Sequence, residues 1–306
     1  MTLEQLRIFV CVAERLNMTR AAEVLHITQS GVSASIGALE GAYGTPLFDR
    51  VGRRIELSVA GQAFLVEAEK VLSQVRTAQR TLSDLSDLRR GTVSICASQT
   101  IGNYWLPQLI ADFHERFPHL GIELQISNTA GVGRKVLDGD AELGFVEGKY
   151  ADAALTGWDL DGDRMSVFVP PGHPWASRRP SPEALLHGGW VLREEGSGTR
   201  SEFIGALRAM GLDTRDLDIR LELPTNEAVR SAVLAGAGPG ALSDLVVRDA
   251  VQSGRLVRAP VDLPRRAFRM FHHSERKLSR AAEMFLNSLP APRRADTPDL
   301  RLVANA

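Results

Sequence analysis

Hydrophobic residues recur every three to four positions in the first part of the chain, in short stretches separated by polar breaks. The pattern predicts an amphipathic helix over residues 3–16, a second helix after the break at 17–19, and a third helix beginning after Thr28. Thr19 and Thr28 are the predicted N-caps, because a threonine hydroxyl satisfies free backbone N–H groups at a helix start. Gly44 is predicted to end the third helix.

The break between the second and third helices is too short for the two to pack independently. This layout is typical of a helix-turn-helix, in which one helix braces against the DNA backbone and the next enters the major groove. Residues 47–58 follow, with Arg50, Arg53 and Arg54 placed around Gly52, and predict a two-stranded wing. The sequence therefore predicts an N-terminal winged helix-turn-helix that binds DNA.

One long helical pattern without proline runs over residues 58–88. Its apolar positions recur every seven residues, at Phe64, Val71, Ala78 and Leu85. We expect this linker helix to pair with a second copy of itself, because the small domain before it cannot bury the apolar face of so long a helix. The alternative is an ordinary core helix.

From residue 91 onward the pattern alternates between short apolar strands and amphipathic helices. Strands are predicted at 93–97, 122–126, 143–146, 166–169, 189–192, 219–223, 241–242 and 268–272. Helices are predicted at 101–117, 132–137, 199–210, 226–235 and 278–289. Two such sets joined by short crossovers indicate two α/β subdomains around mostly parallel sheets.

The predicted organisation is therefore α/β with four parts. They are a DNA-binding domain at 1–58, a dimerisation helix at 59–90, a two-lobed domain at 91–290 and a flexible tail at 291–306. The first lobe is expected to comprise 91–163 and 267–290, and the second 164–266.

Composition is ordinary for a globular protein, with 44% hydrophobic and 24% charged residues. The formal net charge is −1, and residues 1–60 hold six arginines against six acids, so DNA binding must depend on where the charges lie. No apolar run reaches the roughly 20 residues that span a bilayer, and no signal-peptide pattern is present. Cys11 and Cys96 suggest no disulfide framework. We expect a cytoplasmic protein without membrane contact.

Hydroxyl side chains stand where predicted strands end and helices begin. Ser197 and Thr199 alternate with Gly196 and Gly198, whose lack of a side chain lets the backbone approach a ligand. Free N–H groups and the helix dipole favour an anion at such a helix start. In a two-lobed sheet fold these strand ends face the crevice between the lobes. The predicted effector-binding residues are Ser98, Thr100, Asn128, Thr129, Ser197, Thr199 and Asn226.

At the N-terminus the chain resembles the LysR-type transcriptional regulators, through Ala21-Ala22, Gln29-Ser30, Ser33, Leu39-Glu40 and Leu47-Phe48-Asp49-Arg50. The resemblance extends over nearly the whole length. The blocks at 98–104, 144–148 and 195–200 resemble the branch that includes sulfite-sensing and carbon-fixation regulators.

The resemblance implies that Gln29, Ser30, Ser33 and Ala34 face the major groove, while Arg53 or Arg54 reaches the adjacent minor groove, with Arg50 on the same wing. A glutamine amide pairs bidentately with adenine, and arginines suit a narrow A·T minor groove. Position 34 is often basic in relatives, so one contact of theirs is missing here.

The resemblance also implies a homodimer that assembles into a homotetramer, an effector bound between the lobes, and RNA polymerase as a further candidate partner. Sulfite, sulfate and a small carboxylate all stay open as the effector. The chain shows no motif for a cofactor, a metal site or a catalytic set, so we do not expect an enzyme. A solute-binding protein without a transcriptional role is the alternative, because the two-lobed pattern also resembles periplasmic receptors.

Overall fold

The computed structural model describes residues 1–52, 54–86, 91–148 and 150–290 of the chain. The chain divides into two compact units, Met1–Leu85 and Ser86–Ala306. Within the described ranges, no helix is long and apolar enough to cross a membrane. The predicted tail at 291–306 lies outside the described residues. The predicted boundaries of the domains and lobes stay predictions.

The smaller unit contains the predicted helices and hairpin. Its elements are α1 (Leu3–Arg15), α2 (Met18–Leu25), α3 (Gln29–Tyr43), β1 (Phe48–Val51), β2 (Arg54–Leu57) and α4 (Val59–Ser86). β1 and β2 pair antiparallel, which confirms the two-stranded hairpin. Gly44 ends α3 in the left-handed conformation, at φ 63°, as predicted.

Side-chain caps set the starts of the short helices. Thr28 caps α3, accepting a hydrogen bond from Gly31 N at 3.1 Å, which confirms the prediction. The prediction of Thr19 as the cap of α2 is wrong, because Asn17 has the extended backbone of a cap and its Oδ1 accepts from Arg20 N at 3.0 Å. An asparagine caps at least as well as a threonine, so the helix begins earlier and includes Thr19.

The core of the smaller unit is built from apolar residues of all four helices. It includes Phe9, Val12, Ala21, Val32, Leu39, Ala68 and Leu72. Part of α4 is therefore buried within its own unit, through Ala68 and Leu72. Val59, Val66 and Val71 of the same helix stay 86%, 51% and 41% exposed, with Val59 and Val66 on one side and Val71 on another.

The larger unit alternates strands and helices along its length. Its strands are β3 (Thr92–Ser98), β4 (Gly121–Ser127), β5 (Leu143–Glu147), β6 (Leu155–Val169), β7 (Trp190–Arg193), β8 (Ile219–Leu223), β9 (Gly240–Ser243), β10 (Val257–Arg258) and β11 (Arg265–His273). Its helices are α5 (Leu106–Arg116), α6 (Thr129–Leu137), α7 (Pro182–Leu186), α8 (Gly198–Ala209), α9 (Asn226–Leu234), α10 (Asp244–Gln252) and α11 (Arg280–Ser288).

The strands form one sheet in the order β4-β3-β5-β11-β6-β9-β7-β8, with β10 beside β6. The hydrophobic clusters on this sheet fall into two groups, one for each lobe, and divide it into the two lobes. The first lobe holds β3, β4 and β5 with α5, α6 and α11, and the second holds β7, β8 and β9 with α7 to α10. β6 runs through both, because its Leu160 lies in the first core and its Met165 in the second.

The prediction of mostly parallel sheets is wrong in detail. β3 is parallel to β4 and β5, and β7 is parallel to β8 and β9. β11 is antiparallel to β5 and β6, and β6 is antiparallel to β9 and β10. The reason is that the chain passes between the lobes on two long strands that run in opposite directions.

Several element boundaries also differ from the prediction. β6 begins at Leu155 rather than at 166, because its first half alternates with aspartates that hide the strand pattern. The predicted helix at 101–117 begins with a π-helical turn over Ile101–Trp105 before α5. Helix α10 was not predicted, although Ser243 caps it by accepting from Leu245 N at 3.0 Å.

Candidate functional site

The start of α3 presents a polar surface in the smaller unit. The predicted groove-facing residues Gln29, Ser30, Ser33 and Ala34 are all exposed. Gln29 Nε2 donates to Ser33 Oγ at 2.8 Å, so the glutamine side chain lies along the exposed face. Val32 is buried on the opposite face of the helix. The structure thus brings the four predicted residues together on one accessible face.

The hairpin that follows α3 separates two of its arginines. Arg50 pairs with Ile55 across the hairpin, and Arg54 pairs with Val51. Cross-strand partners share a face and successive residues alternate, so this register places Arg50 and Arg54 on opposite faces. Arg53 lies outside the described residues. Arg50 and Arg54 are both exposed.

The predicted effector residues lie at strand ends and helix starts of the two lobes. In the first lobe Ser98 ends β3, and Asn128 caps α6 by accepting from Gly131 N at 2.9 Å. In the second lobe Ser197 is the cap residue of α8, and its side chain makes no capping hydrogen bond. Six of the seven predicted residues are buried, namely Ser98, Thr100, Thr129, Ser197, Thr199 and Asn226.

Hydrogen bonds cross from one lobe to the other beside Thr100. Asn226 Nδ2 donates to Thr100 Oγ1 at 3.1 Å, and Asn226 N donates to Gln99 Oε1 at 3.0 Å. Gln99 Nε2 in turn donates to the carbonyl of Pro224 at 2.9 Å. These contacts join the end of β3 to the start of α9, so the structure brings Thr100 and Asn226 together.

A second set of contacts joins the start of α6 to the loop before α8. Asn128 Nδ2 donates to Glu194 Oε1 at 3.2 Å, and Ala130 N donates to the carbonyl of Gly196 at 3.2 Å. Gly198 fits against Thr129 so closely that a Cβ placed on it would lie 2.5 Å from Thr129 Oγ1. The two lobes therefore touch directly at these glycines, which explains why small residues are required there.

Two buried hydroxyls in the first lobe have no hydrogen-bond partner. Ser98 Oγ and Thr129 Oγ1 are both inaccessible and unpaired in the part of the chain that the structure describes. A buried polar group without a partner costs free energy, and each such case in a folded protein calls for an explanation. A ligand that accepts hydrogen bonds from these hydroxyls would supply the missing partners.

Buried charged residues behind the site were missed by sequence reasoning. Arg193 donates to both oxygens of Glu194 at 2.8 Å and to Asn226 Oδ1 at 2.7 Å. Arg266 donates to Asp163 at 2.5 and 2.9 Å, and to Thr199 Oγ1 at 3.3 Å. Burial acts to lower the pKa of Arg266, but the hydrogen bonds and charge of Asp163 outweigh it, so this pKa lies above its ordinary value.

Another buried charge belongs to Glu147, at the end of β5. A Cβ on Gly198 would lie 3.0 Å from its Oε2, which places the carboxylate at the start of α8. The charge of Glu147 contributes to raising the pKa of Arg266. The sequence carries only a weak signal for these buried charged residues. A single charge at a strand end is common, and Asp163, the partner of Arg266, lies 103 positions away from it.

Tyr104 forms another link between the lobes. Its hydroxyl donates to Glu227 Oε1 at 2.8 Å, and its ring packs against the apolar core of the second lobe. Burial, followed by the hydrogen bond to Glu227, raises the pKa of Tyr104 to about 12. The π-helical turn that carries Tyr104 is an irregularity often found at functional sites.

Both cysteines are buried and free. Burial raises the pKa of the Cys96 thiol to about 11, so little of the reactive thiolate forms near neutral pH. Over the described residues, no group of histidine, cysteine, aspartate or glutamate side chains is arranged to hold a metal ion.

Two family models match the chain. The model for the bacterial regulatory helix-turn-helix protein of the lysR family matches residues 3–62. The model for the LysR substrate binding domain matches residues 86–291.

Individual relatives extend over almost the whole chain. An uncharacterized HTH-type transcriptional regulator of Escherichia coli strain K12, YeiE, is 36% identical over 94% of this chain and 96% of its own length. A probable RuBisCO transcriptional regulator of Trichormus variabilis is 31% identical over 93% of this chain and 86% of its own.

Solved structures share the fold. Full-length CbnR complexed with its target DNA has a TM-score of 0.66 and 21% identity, over 94% of this chain and 98% of that one. The relatives and the matching families are transcriptional regulators rather than enzymes. The winged helix-turn-helix, the two-lobed domain and these matches together show that the chain belongs to the LysR family of DNA-binding transcriptional regulators.

Proposed function

We propose that this LysR-type regulator is controlled by a small anion bound between the two lobes of its effector domain. The observation that carries the proposal is the pair of buried, unpaired hydroxyls of Ser98 and Thr129 at the crevice. Sulfite, sulfate and a small carboxylate fit this chemistry equally, since each presents several acceptor oxygens and no fixed donor.

The start of α8 adds backbone donors to the same place. Its cap residue Ser197 makes no side-chain capping bond, and no described contact takes the N–H groups of Gly198 and Thr199. The first N–H groups of a helix and its positive dipole end stabilise an anion. The unpaired hydroxyl of Thr129 lies beside this helix start, 2.5 Å from the position of a Cβ on Gly198, and the Glu147 carboxylate lies there too, with its Oε2 3.0 Å from the same position.

The buried charges near the crevice are largely paired. Arg193 pairs with Glu194, Arg266 pairs with Asp163, and Glu147 lies beside Arg266. Fixed donors supplied by hydroxyls and backbone, rather than an excess of positive charge, would therefore hold the anion. Such a site favours a small ligand whose oxygens match these donors over a large polyanion.

The proposal for DNA recognition places the exposed start of α3 in the major groove. Gln29, Ser30, Ser33 and Ala34 would face the bases, and Arg50 and Arg54 on the wing would contact the DNA backbone or minor groove. Arg53 lies outside the described residues and keeps the role predicted for it. The support is the exposure of these residues beside the buried face of the helix.

We also propose that a second copy of the chain pairs along α4, as the first step towards a homotetramer. Val71 and Ala78 lie seven residues apart on the same side of this helix and are both exposed, and exposed apolar stripes of a long helix are commonly covered by a partner helix. Sedimentation of the purified chain tests this, since the proposal expects at least a dimer at micromolar concentration and a monomer would contradict it.

Gel retardation and calorimetry on the full-length chain test the regulator proposal as a whole. DNA from upstream of its own gene should be retarded at low salt, and sodium sulfite, sulfate or acetate should alter that retardation. Sodium chloride at matched ionic strength is the control, because salt alone weakens DNA binding. An effect of each anion no larger than that of chloride would count against an anionic effector.

A further inference from the structure

We propose that Asn226 and Arg266 are positioning residues that fix the hydroxyls of Thr100 and Thr199 as hydrogen-bond donors towards the effector. The site would then select ligands whose facing atoms are acceptors only, such as a fully ionised oxyanion. This inference rests on the proposed anion site and deepens it, because Arg266 and Asn226, the latter predicted from the sequence as a direct ligand contact, act here through the threonines that they orient.

Two chains of hydrogen bonds, which we call relays, orient these hydroxyls. The first runs from the buried guanidinium of Arg193 through Asn226 to Thr100. Arginine has donors and no acceptor, so the Asn226 atom at 2.7 Å from Arg193 Nη1 must be the amide oxygen. The amide nitrogen therefore points the other way, where it lies 3.1 Å from Thr100 Oγ1. A hydroxyl that accepts from an amide keeps its own proton for another partner.

The second relay is shorter and lies on the other lobe. Arg266 is held in place by two hydrogen bonds to Asp163, and its Nη1 lies 3.3 Å from Thr199 Oγ1. Because a guanidinium only donates, Thr199 Oγ1 must accept there, and its proton is directed elsewhere. Ser243 Oγ also donates to Asp163, which leaves that carboxylate fully engaged and the guanidinium fixed.

Neither threonine proton has an acceptor among the described contacts. Thr100 and Thr199 are 0% and 2% exposed, so bulk water does not readily supply one. Thr100 follows Ser98 just after β3, and Thr199 lies in the first turn of α8, so both stand beside the contacts between the lobes. A ligand that presents an N–H or ammonium group to these protons would place donor against donor.

Replacing Asn226 by aspartate tests the first relay with almost no change of shape. The new oxygen in place of Nδ2 accepts from Thr100, so Asn226→Asp should turn the threonine proton away from the ligand. We expect the affinity for sulfite, sulfate or acetate, whichever the wild-type chain binds in calorimetry, to fall at least about tenfold. Asn287→Asp is the matched control, since this asparagine is exposed on α11 and adds the same charge.

A double-mutant cycle separates the relay from simple charge repulsion. Thr100→Val removes the hydroxyl at nearly constant volume, and in that background Asn226→Asp should cause little further loss. Fully additive losses would overturn the relay, and so would wild-type affinity in Asn226→Asp. Should Asn226→Asp fail to fold in a thermal unfolding control, the same cycle with Arg266→Lys and Thr199→Val carries the test.

The outcomes also distinguish this inference from the proposed function. If the wild-type chain binds none of the three anions, both the anionic effector and the relay are contradicted. If the wild type binds an anion and Asn226→Asp binds it equally well, the anion site stands and the relay alone is wrong.

Discussion

The amide of Asn226 in the second lobe donates to the hydroxyl of Thr100 in the first, across 3.1 Å of buried interface. The same amide is held by Arg193, so its orientation is fixed from within its own lobe. The hydroxyl of Thr100 is thus both a partner in the contact between the lobes and a group that can bind the effector. Any ligand that binds Thr100 also acts on the contact between the lobes, which is how occupancy of a crevice can change the population of two arrangements.

Gly198→Ala should weaken effector binding strongly. A Cβ at this position would lie 2.5 Å from Thr129 Oγ1 and 2.9 Å from the carbonyl of Glu147, so the start of α8 must move away from the first lobe. We expect at least about a tenfold loss of anion affinity in calorimetry. Gly205→Ala in the same helix is the control, since nothing lies within 4 Å of its Cβ position. Equal affinity in the two variants would contradict the crevice site.

Tyr104→Phe should loosen the two lobes without changing the packing of the ring. Loss of the hydrogen bond to Glu227 should lower the free energy of unfolding by about 1 kcal/mol, measured by urea unfolding at neutral pH. Tyr43→Phe, at a tyrosine that is 61% exposed, is the control and should have no effect.

The raised pKa of Tyr104 should make the stability of the wild type and of Tyr104→Phe depend differently on alkaline pH. This pKa is raised from 10.0 to about 12 in the folded chain, so the folded state holds this proton more tightly than the unfolded state. The stability that results is fully present below pH 10 and is lost as the pH rises towards 12. The wild type should therefore lose more stability than Tyr104→Phe over this interval. Parallel losses would show that the tyrosine is not the group responsible.

Neither cysteine should react while the chain is folded. Both are buried, and burial raises the pKa of each thiol. A colorimetric thiol reagent at pH 8 should therefore detect no rapid reaction in native protein and two thiols in denaturant. Rapid modification of Cys96 in the native chain would instead support redox control.

Gln29→Ala should relax the base preference at one operator position and leave overall folding unchanged. The glutamine is exposed at the start of α3, and its amide is the side chain best suited to read adenine there. A binding-site selection with wild type, Gln29→Ala and the exposed Gln62→Ala control measures this. The groove assignment fails if the selected sequences are the same for all three chains.

The elements that depend on local signals could be predicted from the sequence. Thr28 and Gly44 bound α3 as expected, because a cap and a left-handed glycine act within one helical turn. The first half of β6 could not be predicted in this way, since its aspartates pair with distant groups, as Asp163 does with Arg266 across 103 positions.

The candidate site, too, could be predicted only where local sequence signals determine it. Hydroxyls at strand ends were evident from the sequence, but which of them are engaged depends on contacts between lobes. Thr100 is bonded by Asn226, whereas Ser98 and Thr129 have no partner among the described residues. The buried arginines that orient two of the hydroxyls carried no local signal, because an arginine near a strand end is ordinarily solvated.

Calorimetric titration of the full-length chain with sulfite, sulfate and acetate, repeated on Ser98→Ala/Thr129→Val, tests the central claim most directly. These two hydroxyls are unpaired in the described structure, so removing them costs no existing hydrogen bond and should leave the unfolding midpoint nearly unchanged. The account predicts saturable binding of at least one anion by the wild type and a loss of about tenfold or more in the double variant. Undiminished affinity in the folded double variant, or no binding by the wild type, would contradict it.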